Sequence, residues 1–197
     1  MNTIQSQFPT CTHILVVDFE ATCGPGVSKS QTEIIEVGAI LCPFSTEQID
    51  VTALPTFQSF VKPQIVPKIT PFCTNLTGIT QTQVDQGAVF PDMIEAWTTF
   101  LNRYGCTPST VVFGSWTDFD IKQLRLELTR NNLSVQFPNW IDLQRSYKLN
   151  QKGKGILGVK KALIEQGLEF EGREHSAIDD AKNTMRLVPY CGWYTPV

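Results

Sequence analysis

The sequence predicts one α/β domain, a mixed sheet flanked by helices, and three observations carry that expectation. The 197 residues suit a single domain with a substantial core. Short apolar runs with strand character dominate residues 13–61. From residue 90 onward, helical patterns alternate with one further short strand, and no repeat or linker interrupts them. Residues 13–190 are expected to form the domain, with 1–12 as a flexible extension and 191–197 as a tail.

The run His13-Ile14-Leu15-Val16-Val17-Asp18 is nearly continuous in apolar residues, as a central strand covered on both faces requires. Gly24-Pro25-Gly26 breaks the chain, and Ile34 to Leu41 forms the second strand before Pro43. Thr56 to Val61 forms a third, closing an antiparallel meander. Pro63, Pro67 and Pro71 leave room only for short turns and loops up to residue 90. Phe90-Pro91 opens a helix whose inner face is Met93, Ile94, Trp97, Phe100 and Leu101, ending before Gly105. Ser109 to Phe113 is a short strand closed by Gly114, and Asp120 to Arg130, free of Gly and Pro, is helical. Trp140 to Leu149 fits either state. Ile156 to Gln166 reads as a helix with Ile156, Val159, Leu163 and Ile164 on one side and Gly167 as its stop. The last helix runs from Ala177 to Val188, before Pro189.

Composition narrows the function classes. Sixteen basic against nineteen acidic residues, a net charge of −3, argue against whole-surface binding of nucleic acid. A local basic patch stays compatible with a nucleic-acid enzyme. No apolar run approaches the ~18 residues of a membrane span, so no membrane partner is expected. The start, MNTIQSQFPTCTH, has neither the basic nor the apolar part of a secretory signal. Six dispersed cysteines, without a C-x-x-C pair and with only His13 and His175 beside them, read as reduced thiols in a cytoplasmic protein.

Three acidic clusters hold candidate chemistry. Asp18 and Glu20, two apart on a strand, project to one face, where like charges are unfavourable without a cation or proton between them. They also read as two solvated acids at a strand end. Gly114-Ser115-Trp116-Thr117-Asp118-Phe119-Asp120 places two acids where a strand passes into a helix, where the helix dipole alone favours them. In His175-Ser176-Ala177-Ile178-Asp179-Asp180-Ala181, Ser176 and Asp179 resemble a capping box. His175 would then lie in a loop and Asp180 in the first helical turn, so both can reach one site. A packed or surface histidine is the alternative.

Taken in order, Val17-Asp18-Phe19-Glu20-Ala21-Thr22-Cys23, Glu33-Ile34-Ile35-Glu36-Val37-Gly38, Leu76-Thr77-Gly78-Ile79-Thr80, Gly114-Ser115-Trp116 with Phe119-Asp120, and His175 through Ala181 resemble the successive motifs of the DEDDh 3′–5′ exonucleases. Within that superfamily the chain is most similar to the branch of the enhancer of RNA interference and the 3′ histone-mRNA exonuclease. The resemblance covers residues 13–190. It implies an RNase H-like fold, two divalent cations, Mg²⁺ with Mn²⁺ as substitute, and release of 5′-mononucleotides from single-stranded or overhanging 3′ ends, RNA favoured over DNA.

Carried over by position, Asp18 matches the ligand that bridges both metals, and Glu20 and Asp180 match the other ligands of the metal holding the attacking water. Asp120 matches the carboxylate of the second metal and His175 the general base. In the nearest eukaryotic relatives the third Asp follows the Trp directly, whereas here Thr117-Asp118-Phe119 intervenes. Asp120 is preferred to Asp118 because the aromatic-Asp pair before Leu124 fits the wider pattern. Phe19, Phe72, Leu76, Thr77, Ile79 and Trp116 match positions of the pocket for the terminal base and sugar, with core packing the alternative for Phe72 and Trp116.

Arg145, Lys148, Lys152, Lys154, Lys160 and Lys161, against Asp142 alone, form a basic stretch suited to a phosphate backbone. A solvated surface is the other reading. Gly153-Lys154-Gly155-Ile156-Leu157-Gly158 matches G-x-G-x-x-G, but the polar segment before it is no buried strand, so a dinucleotide site is not expected. A DNA proofreading or repair exonuclease and a non-catalytic nucleic-acid-binding module are the competing functions.

Overall fold

The computed structural model describes residues 3–151 and 155–193. Its five strands are β1 (His13–Ala21), β2 (Ile34–Pro43), β3 (Thr56–Phe60), β4 (Val111–Ser115) and β5 (Trp140–Asp142). They form one mixed sheet in the order β3-β2-β1-β4-β5. β1, β2 and β3 are the antiparallel meander, and β4 and β5 add in parallel on the other side of β1. β1 is therefore central, as its unbroken apolar run requires.

Alternation along β1 divides the core in two. Ile14 and Val16 pack with Ile40, Val112, Leu163 and Met185, while Leu15, Val17 and Phe19 pack with Trp97, Leu101, Phe113 and Leu124. The first face is covered by α6 (Leu143–Asn150), α7 (Val159–Glu165) and α8 (Ala177–Leu187). The second is covered by α4 (Phe90–Arg103) and α5 (Phe119–Arg130). The segment 63–90 holds two short helices, α2 (Pro71–Thr77) and α3 (Gln81–Asp85). Among the described residues no helix is long and apolar enough to cross a membrane.

Four sequence expectations need correction. Residues 4–7 form a short helix, α1, whose Ile4 is fully buried, and the Ile4 N–H donates to the Gly192 carbonyl at 2.9 Å. Cys191 and Trp193 are also buried, with Trp193 against Phe44 at 5.0 Å. Among the described residues, Ile4, Cys191 and Trp193 thus belong to the core on the α8 side of the sheet. β4 continues through Gly114 to Ser115, because the missing side chain lets Ile14 and Leu143 pack within 3.2 Å of where a Cβ would stand. α7 begins at Val159, not Ile156. Ile156 and Ile164 are 71% and 63% exposed, so the inward face is Ala162 and Leu163. The ambiguous segment resolves into β5 followed directly by α6, whose first turn is capped by Asp142 accepting from the Arg145 N–H at 2.7 Å.

Burial of Ile4 yields a direct test: Ile4→Ala removes a fully buried side chain and should cost about 2–5 kcal/mol. Urea denaturation measures it, and a loss under ~0.5 kcal/mol, normal for a surface position, would show that the segment does not pack.

Candidate active site

Asp18 and Glu20 continue the side of β1 that carries Ile14 and Val16, toward α8. What brings α8 close is Gly38, the β2 partner of Asp18. A Cβ on Gly38 would stand 2.2 Å from the Ala177 carbonyl atoms and 2.3 Å from the Ile178 nitrogen. Only glycine lets the start of α8 rest on the sheet backbone there. The neighbouring Glu36, 2% exposed, ties the contact: its Oε2 accepts from the Ala177 N–H at 3.1 Å and its Oε1 from Gln58 Nε2 at 2.7 Å. A carboxylate at a helix N-terminus also meets the positive end of the dipole.

The capping box does not form. Ser176 makes no side-chain cap bond, and Asp179 instead accepts from the Arg173 N–H at 3.0 Å. Asp180 Oδ2 accepts from the His175 N–H at 2.8 Å, and its own N–H donates to the Ser176 carbonyl at 2.8 Å. This turn holds His175 at φ 62°, left-handed backbone that a non-glycine residue rarely adopts. His175 is exposed on the loop before α8, where the sequence located it.

The result is a carboxylate cluster. Ligand oxygens of Asp18, Glu20 and Asp180 lie within 4.8 Å of one another. Asp120, 5% exposed in the first turn of α5, joins from the other side, its Oδ1 accepting from the Phe19 N–H at 3.0 Å. Asp118 points outward with its side chain half exposed and pairs with Lys122. The structure therefore brings Asp120, and not Asp118, to the cluster.

Burial and mutual repulsion work against the charges. Burial raises Asp18 well above the usual carboxylate range, helped by Asp120, Asp180, Glu20 and Glu36. Burial, then Asp180, Glu36 and Asp120, pushes Glu20 up to about 8, with Arg173 pulling weakly the other way. Asp120 rises to about 7 through burial, offset in part by the Phe19 N–H. Asp180 rises to about 6 through burial, offset by the His175 N–H and by the His175 side chain. An all-oxygen, desolvated, mutually repelling donor set matches hard divalent cations, whose charge would relieve each of these shifts.

The six positions expected to hold the terminal base and sugar divide sharply. Phe72 and Leu76, 53% and 37% exposed, make an apolar shelf along one face of α2. That helix is fixed to the end of β1: Thr70 Oγ1 donates to the Cys23 carbonyl at 2.6 Å, and Cys73 Sγ to the Ala21 carbonyl at 3.6 Å. Gly24 permits the approach, since a Cβ there would stand 2.4 Å from Thr70 Oγ1. Thr77 and Ile79 are buried, the Thr77 hydroxyl spent between the Cys73 carbonyl and the Ile79 N–H.

Phe19 and Trp116 are both buried. The period-two alternation that aims Asp18 and Glu20 into the site turns the Phe19 ring to the opposite face, against Trp97 at 6.0 Å. Trp116 is 6% exposed, packs on Tyr147 at 5.8 Å and donates from Nε1 to the Leu157 carbonyl at 2.8 Å. That bond ties the indole to the segment that leads into α7.

In the basic stretch, Arg145 and Lys161 are exposed and Lys160 pairs with Glu174, while Lys152 and Lys154 lie outside the described residues. So does part of the glycine pattern; the described residues before it, Ser146 to Asn150, belong to α6 and not to a strand. Sequence reasoning missed the roles of Glu36 and Gly38, although both stand in a quoted motif. Their signal was a glycine and an acid inside an apolar strand, where neither is expected without a specific contact.

A mixed sheet in this order, with carboxylates from β1, α5 and α8 meeting at one end of the central strand, is the architecture of the DEDDh-type exonucleases. The family model "Exonuclease" of the RNase T type matches residues 15–188, and the chain belongs to that family. It is 38% identical over 194 residues to ERI1 exoribonuclease 2 of Danio rerio, covering 88% of this chain and 34% of that protein. To 3′-5′ exoribonuclease 1 of Homo sapiens it is 32% identical over 182 residues, covering 89% of this chain and 51% of that protein. The chain therefore spans between a third and a half of these relatives. The solved nuclease domain of 3′hExo, a DEDDh family member bound to rAMP, superimposes with a TM-score of 0.79 at 29% identity, covering 91% of this chain and 90% of that one.

The raised acids make a pH-dependent prediction. An acid with a raised folded pKa leaves stability intact below its unfolded value, near 4, and removes it as pH climbs through the folded value. For Asp180, Asp120 and Glu20 those folded values are about 6, 7 and 8. Glu20→Gln should therefore raise the melting temperature of the metal-free protein by a few degrees near pH 8.5 and hardly at all near pH 5. Millimolar Mn²⁺ should stabilise the wild type more at the higher pH. Equal shifts at both pH values in a melting series would contradict the crowding.

Proposed function

We propose that the protein is a metal-dependent 3′–5′ exonuclease that hydrolyses single-stranded or overhanging RNA to 5′-mononucleotides. One observation carries the reading: Asp18, Glu20 and Asp180 converge within 4.8 Å, with Asp120 buried alongside and His175 bonded through its backbone to Asp180. RNA is favoured over DNA because the relatives are named exoribonucleases and the similar nuclease domain was solved with rAMP.

Asp18, Glu20 and Asp180 would hold one divalent cation and Asp120, with Asp18, would hold a second; Mg²⁺ is the expected ion, with Mn²⁺ as substitute. When bound, the pair supplies stabilisation of charge on both the attacking and the leaving oxygen of an in-line displacement. His175 takes the proton of the attacking water. A new water-oxygen–phosphorus bond forms, the bond from phosphorus to the 3′-oxygen of the penultimate nucleotide breaks, and that oxygen acquires a proton from solvent. A neutral imidazole nitrogen can accept a proton, as a general base must. Its loop position leaves the ring free to approach the water. Phe72 and Leu76 support the terminal base by contact that tolerates any sequence.

The exposed Arg145 and Lys161 are suited to the phosphates upstream of the end. All six cysteines are free, in keeping with a reducing, cytoplasmic setting.

Incubation with 5′-labelled RNA and DNA oligonucleotides, with Mg²⁺ or Mn²⁺ and with chelator, tests the reading. A ladder shortening from the 3′ end, abolished by chelator and faster on RNA, is expected. Chelator-insensitive product, or none, would overturn it. Asp18→Asn should abolish turnover with the melting curve retained. His175→Ala should lower turnover by about 10²–10⁴ with little change in RNA affinity. Asp120→Asn should cost at least ~10-fold and Asp118→Asn almost nothing; the reverse order would reassign the third carboxylate.

A further inference from the structure

The loop that carries His175 also carries an exposed arginine, Arg173, for which no role has been given. Its backbone is fixed. The Arg173 N–H donates to Asp179 Oδ2, and the preceding Gly172, at φ 84°, fits because it has no side chain: a Cβ there would stand 2.5 Å from Asp179 Cγ. From this anchor the side chain crosses to the end of α2. There Gly78 ends the helix in left-handed backbone at φ 69°, and a Cβ on it would fall 1.2 Å from Arg173 Nη1 and 2.0 Å from Cζ. The guanidinium therefore fills the space left by the absent side chain of Gly78.

Two further facts define its surroundings. The charge reaches the carboxylate cluster, since Arg173 is the group that pulls Glu20 down against its acidic neighbours. Yet the guanidinium makes no hydrogen bond or ion pair among the described residues. It lies at the Gly78 end of α2, within electrostatic reach of Glu20, with its donors uncommitted. A planar fork of N–H groups matches the paired oxygens of a phosphate better than any other common biological group. A phosphate attached to a nucleoside on the α2 shelf, and drawn toward cations on the acids, would meet that fork.

We propose that Arg173 binds the phosphate of the 3′-terminal nucleotide, the group that is attacked and then departs as the 5′-phosphate of the product. This rests on the exonuclease reading above. It makes Arg173 a substrate-binding residue that distinguishes a nucleotide from a nucleoside at the end of the chain, and it makes Gly78 the position that lets the guanidinium lie there.

The test compares wild type, Arg173→Ala and Arg173→Lys, by equilibrium titration with AMP and with adenosine in the presence of Mn²⁺ and by kcat/KM on 5′-labelled RNA. Arg173→Ala should reduce the preference for AMP over adenosine by about 10- to 100-fold and lower kcat/KM to a similar extent. Arg173→Lys, which keeps the charge and loses the fork, should fall between. An unchanged preference in Arg173→Ala, equal weakening of AMP and adenosine, or a wild type that binds AMP no better than adenosine would each overturn the proposal. A wild type that degrades no RNA but prefers AMP through Arg173 would sink the exonuclease reading alone.

Discussion

Carboxylates crowded at the end of one strand repel one another, and the rest of the structure is arranged to hold them there. Asp18 and Glu20 cannot separate, because both are held in the antiparallel pairing with β2, opposite Gly38 and Glu36. Asp180 cannot withdraw, because α8 is seated on the backbone of Gly38 and its first N–H is held by Glu36. Asp120 is drawn in by the N–H of Phe19, the residue between the two acids. The frame that resists the repulsion is thus made of backbone groups, one glycine and the buried carboxylate of Glu36, parts that a change of surface side chains leaves intact.

The frame also explains why α2 belongs to the site. Its anchors are backbone carbonyls just past Glu20, reached by Thr70 and Cys73. Glu33 performs a similar service nearby: its carboxylate collects the N–H groups of Gln64, Ile65 and Val66 at 2.7–2.9 Å and so fixes the chain between β3 and α2. A buried acid satisfied by three backbone donors is a structural fastener. The same residue type serves as fastener at Glu33, as helix anchor at Glu36 and as a member of the carboxylate cluster at Glu20, according to what faces it.

Much of this was legible in the sequence. The apolar run at 13–18 and the later alternation of helix and strand indicated the sheet, and ordered motifs located Asp18, Glu20, Asp120, His175 and Asp180. What could not be read was direction. Phe19 and Phe72 are the same residue type and were expected to share one role, yet one ring faces the core and the other solvent. That difference depends on which face of β1 the acids occupy and on how α2 is tethered, both set by distant contacts. Ser176 looked like a cap because local spacing allows it, but Glu36, 140 positions earlier, supplies the carboxylate that the helix uses. The chain ends looked dispensable because a composition-based reading does not know that Ile4 and Trp193 complete one face of the core.

The bond between the Ile4 N–H and the Gly192 carbonyl carries one more consequence. It makes the domain a closed loop in space, entered and left at nearly one point. Joining these two places and opening the chain in an exposed connection would leave strand order, helix layers and carboxylates as they are. For the same reason the domain could be inserted into the surface loop of another protein without being stretched.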